Sequence, residues 1–152
     1  MNANIRIDIL DPRWRRRLPK ADALVRAGAR AALDGYGDAG TVTFALGDDA
    51  LLRQLNRDFR GKDKPTNVLS FPGGEAGNLG DVALAFETCA REARAQRKEL
   101  GAHVRHLVVH GALHLLGFDH ETDEDAFAME ARERRVLRRL GVADPYRVRG
   151  AA

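Results

Sequence analysis

The segment from Ala102 to Leu116, AHVRHLVVHGALHLL, constrains the fold more than any other part of the chain. Its residues recur at helical spacing with almost no polar face, and a helix that is apolar nearly all round belongs at the centre of a domain, covered on every side. The apolar run from Leu107 to Phe118 is broken by His110 and His114 and is far shorter than the roughly 20 residues that cross a bilayer. The rest of the chain must therefore supply the layers around this helix. At 152 residues, 44% of them hydrophobic and 31% charged, there is enough chain for one core, so a single domain over residues 1–152 is expected.

The candidate layers are short and interleaved. Ile5, Ile7 and Ile9 alternate with Arg6 and Asp8, a period of two that predicts a half-buried strand. Pro19 to Leu33 has helical spacing and ends at Asp34-Gly35. Thr41 to Leu46 alternates as a strand, and Gly47-Asp48-Asp49 turns it into a helix over Ala50 to Phe59. Asn67 to Phe71 and Asp81 to Phe86 are strands, separated by the glycine-rich loop GGEAGNLG. Glu87 to Glu99 is a charged amphipathic helix. The last helix opens on Asp123-Glu124-Asp125 and runs to about Leu140, acids first and arginines last, as the helix dipole favours. The fold class is α+β (mixed α/β): a small four-stranded mixed sheet packed with about five helices. The start of the chain has neither a hydrophobic core segment nor a cleavage site of the secretory type, and Cys89 is alone. A cytoplasmic, reducing location with no membrane partner is expected.

The central helix carries chemistry as well as packing. HGALHLLGFDH, His110 to His120, holds three of the five histidines. Residues four apart share a helix face, so His110 and His114 can direct their rings at one ion. Gly117 can take the left-handed conformation that stops a helix, which lets the chain double back and bring His120 to the same point. Three neutral imidazoles with a fourth position open describe a catalytic zinc site, because structural zinc is closed by four protein ligands. The spacing H-x-x-x-H-x-x-G-x-x-H is that of the metzincin proteases, so the site is zincin-like, at the end of a central buried helix. One Zn²⁺ is expected, another divalent metal being possible. Asp119 could orient a ligand from behind. His103 and His106 fall on the same side but read as polar contacts at the rim.

Gly111 separates this chain from the proteases. There the residue after the first histidine is a glutamate that takes a proton from the metal's water, and glycine has no group to do so. A peptidase is disfavoured for that reason.

The net charge is only +3 but is unevenly spread. Met1 to Lys20 has six basic and two acidic residues, Arg53 to Lys64 five against two, and Arg132 to Arg149 seven against two. Asp119 to Glu130 has six acids and no Lys or Arg. The basic clusters fit a nucleic-acid footprint and equally fit solvated helix faces. Arg60, Lys62 and Lys64 lie at a helix end just before a strand. A guanidinium beside a metal suits phosphate, which it grips with two N–H groups, although cations at a helix C-terminus also answer the dipole. For Lys62 and Lys64 the RNA-binding and capping readings stand level.

HGALHLLGFDH, LNRDFRGKDKPTNVLSFP, LGDVALAF and the DPY at Asp144 to Tyr146 together resemble the YbeY family of bacterial metal-dependent endoribonucleases. The resemblance covers most of the chain from Leu55 onward. It implies zinc on His110, His114 and His120, with Arg60 as the functional, catalytic arginine. It also implies single-stranded rRNA as substrate, in maturing the 3′ end of small-subunit (16S) rRNA and in ribosome quality control. Expected partners are the small ribosomal subunit with its proteins and a ribosome-associated GTPase. RNA carries its own 2′-hydroxyl nucleophile, so a base at position 111 is dispensable, and a small residue there would leave room for a phosphodiester. Direct attack by water on phosphorus stays open as the other route. Two further readings stand beside the nuclease: a ribosome assembly factor with a structural metal, and a metal-dependent hydrolase of another substrate.

Overall fold

The alternating isoleucines form β1 (Asn4–Ile9), one edge of a four-stranded sheet in the computed structural model, which describes residues 3–36 and 40–147. β2 (Thr41–Gly47) runs parallel to β1 and to β4 (Asn78–Ala85), while β3 (Val68–Pro72) closes the other edge antiparallel to β4. The order β1-β2-β4-β3 makes the sheet mixed, as expected. The helices are α1 (Arg13–Arg17), α2 (Ala21–Leu33), α3 (Asp49–Arg60), α4 (Phe86–Ala95), α5 (Leu100–Leu115) and α6 (Asp123–Arg139). None among the described residues is long and apolar enough to cross a membrane.

Strand periodicity sorts the sheet residues into two cores. Val42, Phe44, Leu46, Val82 and Leu84 join the larger buried cluster with α2 and α5, on which α6 packs in turn. Leu69, Ala83 and Ala85 point the other way, onto Leu52 of α3. α5 lies at the centre of the larger core: Val104, Val108, Val109, Ala112 and Leu113 are fully buried. A largely apolar helix is stable here because neighbours remove most of its surface from water, with the half-buried His110 and His114 left toward the cleft.

Two local features add to the expectation. The described residues hold six helices where about five were expected, because the basic stretch after β1 forms the five-residue α1 around Trp14. That indole is fully buried, donates Nε1–H to the Gly47 carbonyl at 2.9 Å and meets Phe86 edge-on at 5.3 Å. One buried aromatic, too short a signal to show a period, fixes it. β4 also begins inside the expected loop, because Asn78 pairs with Thr41 and Gly80 with Pro72.

Candidate metal centre

The last turn of α5 positions the histidines. Gly117 has φ +101°, the left-handed conformation a side chain resists, and its N–H reaches the His114 carbonyl at 3.0 Å while Phe118 N–H reaches that of Leu113 at 3.1 Å. These paired bonds are a Schellman stop, which turns the chain so that His120 comes back toward α5. Ligand atoms of His110, His114 and His120 all lie within 4.8 Å of one another. His110 Nε2 and His114 Nε2 are 3.2 Å apart. Two nitrogens bound to one tetrahedral zinc at about 2.0–2.1 Å would stand roughly 3.3 Å apart, so the pair already has the required spacing.

Protonation suits a metal as well. Burial, and then the neighbouring His110 and His120, hold the His114 pKa below the usual imidazole value, so the ring stays neutral at pH 7. His110 Nδ1 lies 2.5 Å from Glu133 Oε1. Burial pushes the Glu133 pKa up, but hydrogen bonds from His106, His110 and Tyr146 outweigh it and bring it down to about 2. The ionised carboxylate only accepts, so Nδ1 of His110 carries the proton and Nε2 keeps its lone pair for an ion. On these grounds the three imidazoles fit a divalent metal.

The rings face a cavity of about 470 Å³ that runs along the free edge of β3 and is also lined by Arg60, Asn67, Ser70, Asp119 and Glu121. Arg60 ends α3 across the cavity from α5; its Nη2–H donates to the Ser70 carbonyl at 3.0 Å, and its guanidinium lies 5.8 Å from the Phe71 ring centre. Structure and sequence reading thus bring Arg60 and the three histidines together. Asp119 lines the cavity, but its carboxylate accepts the Glu121 N–H at 3.2 Å. Lys62 and Lys64 are exposed on the loop after α3 and do not line the cavity. The cap of α3 is Gly61, left-handed at φ +70°, with its N–H on the Arg57 and Asn56 carbonyls.

Gly111 has a different reason for being small than room for substrate. It is buried against the sheet, where a Cβ would come within 2.7 Å of Val82 Cγ1 and 3.2 Å of Ser70 Oγ. The glycine lets α5 approach β3 and β4 closely; its missing side chain opens no space in the cavity.

Glu133 is the residue the sequence reading missed. It lies 23 residues beyond His110, on another helix, in a segment that reads as a charged solvated face. His106 shares it, at 3.1 Å from Oε2, whereas His103 is buried against Glu92 at 2.9 Å.

A mixed sheet with three convergent imidazoles at a helix end, across a cleft from an arginine, defines a class of protein whose histidine group could hold a metal ion. The model of the endoribonuclease YbeY family matches residues 20–141. An endoribonuclease YbeY from Azorhizobium caulinodans is 50% identical over 92% of this chain and 95% of its own length. One from Paramagnetospirillum magneticum is 49% identical over 93% and 94%. The solution structure of a Thermotoga maritima protein, 25% identical, superposes with a TM-score of 0.59 over 95% of this chain and 99% of that one. The chain belongs to the YbeY endoribonuclease family.

Proposed function

We propose that the chain is a zinc-dependent endoribonuclease that cuts single-stranded RNA and matures the 3′ end of small-subunit rRNA. The observation that carries this reading is the shared cavity: three imidazoles at ion-binding distance on one wall and Arg60 on the other. An ion held by His110, His114 and His120 supplies Lewis acidity toward a phosphate oxygen when bound. Arg60 is tethered to the Ser70 carbonyl by one N–H, and its remaining N–H groups are available to a second phosphate oxygen, where charge grows in the transition state. Gly111 contributes no peptidase-type base, and in this reading the substrate's own 2′-hydroxyl is the nucleophile: its oxygen bonds to phosphorus as the bond to the 5′-oxygen breaks, the 2′ proton passes to solvent and the 5′-oxygen takes one up, so the products carry a 2′,3′-cyclic phosphate and a 5′-hydroxyl. Work in the cytoplasm, on the small subunit with its proteins and a ribosome-associated GTPase, and in removing defective ribosomes, completes the reading.

The test is cleavage of a single-stranded 3′ fragment of small-subunit rRNA by wild type, His114→Ala and Arg60→Ala, with metal content quantified. Cutting is expected only in the wild type, with zinc retained by Arg60→Ala. Equal cutting by all three marks contamination. Absence of cutting by zinc-replete wild type favours an assembly role, and a 5′-phosphate product excludes the 2′-hydroxyl route.

A further inference from the structure

Glu133 sits in α6 with no exposed surface, and a carboxylate removed from water persists only where donors replace that water. Here three converge. His110 Nδ1 lies 2.5 Å from Oε1, while His106 Nε2 at 3.1 Å and the Tyr146 hydroxyl both reach Oε2. The bond to Oε1 fixes both the tautomer and the ring angle of His110, since a ring held at Nδ1 can present only Nε2 to the cavity.

Tyr146 is itself held in place. Its backbone N–H donates to Asp144 Oδ1 at 2.8 Å, and Asp144 takes the Arg134 guanidinium at 3.2 and 3.1 Å. The same guanidinium lies 5.3 Å from the Tyr146 ring centre, and the ring meets His106 edge-on at 5.5 Å. The DPY segment therefore folds back on α6 one residue from Glu133 and delivers a hydroxyl to it. Nothing in the cleft explains that motif; the route from Asp144 through Tyr146 and Glu133 to His110 does.

We propose that Glu133 and Tyr146 are positioning residues of the metal centre: Glu133 holds His110 with its proton on Nδ1 and Nε2 toward the ion, and the C-terminal DPY segment, through the Tyr146 hydroxyl, holds Glu133. This rests on the metal reading of the three histidines. His106, His110 and Glu133 are also close enough to hold an ion themselves. Each of these contacts is already accounted for by a donor meeting an acceptor, so the group is a hydrogen-bond network and needs no second ion.

Three measurements on Glu133→Gln and Tyr146→Phe test the assignment: zinc affinity by competition with a chromophoric chelator, the visible spectrum of the cobalt-substituted protein, and the His110 tautomer from long-range ¹⁵N–¹H correlation in metal-free protein. A glutamine offers a single acceptor atom to three donors, so the network must rearrange. Glu133→Gln is expected to weaken zinc binding on the order of 10- to 100-fold, alter the cobalt spectrum and mix the His110 tautomers. Tyr146→Phe keeps the ring packing and is expected to shift all three in the same direction by less. Urea melts of the metal-free proteins show whether each variant is folded, and Tyr146→Phe carries the test if Glu133→Gln is not. Wild-type affinity with an unchanged His110 tautomer in the folded variants overturns the proposal and leaves the metal reading standing. Two zinc ions in wild type and one in Glu133→Gln overturn it by making Glu133 a ligand. A wild type that binds no zinc overturns the metal reading and this one together.

Discussion

Gly111 shows how one residue serves packing where chemistry first suggests itself. Its Cα faces Val82 and Ser70, so the position is set by the distance between α5 and the sheet. Alanine there gains helix propensity, about 1 kcal/mol, but must displace the fully buried, β-branched Val82, and overpacking costs about 1–3 kcal/mol. The clash at 2.7 Å should decide the sign: Gly111→Ala is expected to lower stability by about 1 kcal/mol in urea titration. Gly111→Glu should fail to fold rather than gain peptidase activity, which soluble yield and circular dichroism would show. His103 gives a pH dependence at the same scale. Burial, against the hydrogen bond that His103 Nε2 makes to the Glu92 carboxylate, holds its pKa below 6.5 in the folded chain. Below about pH 6.5 the unfolded chain then binds more protons, so stability falls as the pH drops from that value toward the folded pKa. In metal-free protein, His103→Gln should flatten this part of the stability–pH curve, and an unchanged slope would assign it to other groups.

At the scale of elements, α3 and β3 supply the wall of the cleft that faces the three histidines. Phe59 is 69% exposed yet its ring lies 5.3 Å from Phe71, beside Arg60, an arrangement on which an unpaired base can stack. Phe59→Ala is expected to weaken binding of a short single-stranded RNA by about 1–3 kcal/mol with zinc affinity unchanged, read by fluorescence anisotropy. Lys62→Ala and Lys64→Ala should weaken it with each lowering the salt slope by about 1; an unchanged slope leaves these lysines as solvated loop charges. How far such elements could be read in advance followed the range of the forces that make them. Alternation at Ile5–Ile9, the apolar α5 and the glycine stop at Gly117 are local patterns, and the sequence reading found them. So was the convergence of His110, His114 and His120, which needs only one helix and one turn. The parallel pairing of β4 with β2, the anchoring of α1 by Trp14, and Glu133 beneath His110 depend on partners 23 or more residues away. No window on the chain contains them.

For the whole molecule, the site joins parts that the hydrophobic core does not. α5 is locked into the main cluster, but His120 stands exposed on the segment between α5 and α6, beyond the Schellman stop. An ion shared by His110, His114 and His120 would tie that segment to the core, and α6 is tied to the same point through Glu133. Binding to the folded state alone stabilises by RT ln(1 + [L]/Kd), about 4 kcal/mol at a thousandfold excess of free zinc over Kd. Zinc should therefore raise the melting temperature in a concentration-dependent way and slow amide exchange selectively over residues 117–122. His114 is only half-buried, so His114→Ala should keep most of the metal-free stability and lose the zinc-dependent rise. If amide exchange slows uniformly instead, the ion acts on global unfolding alone; if the melting temperature of wild type ignores zinc, the three imidazoles do not form a metal centre.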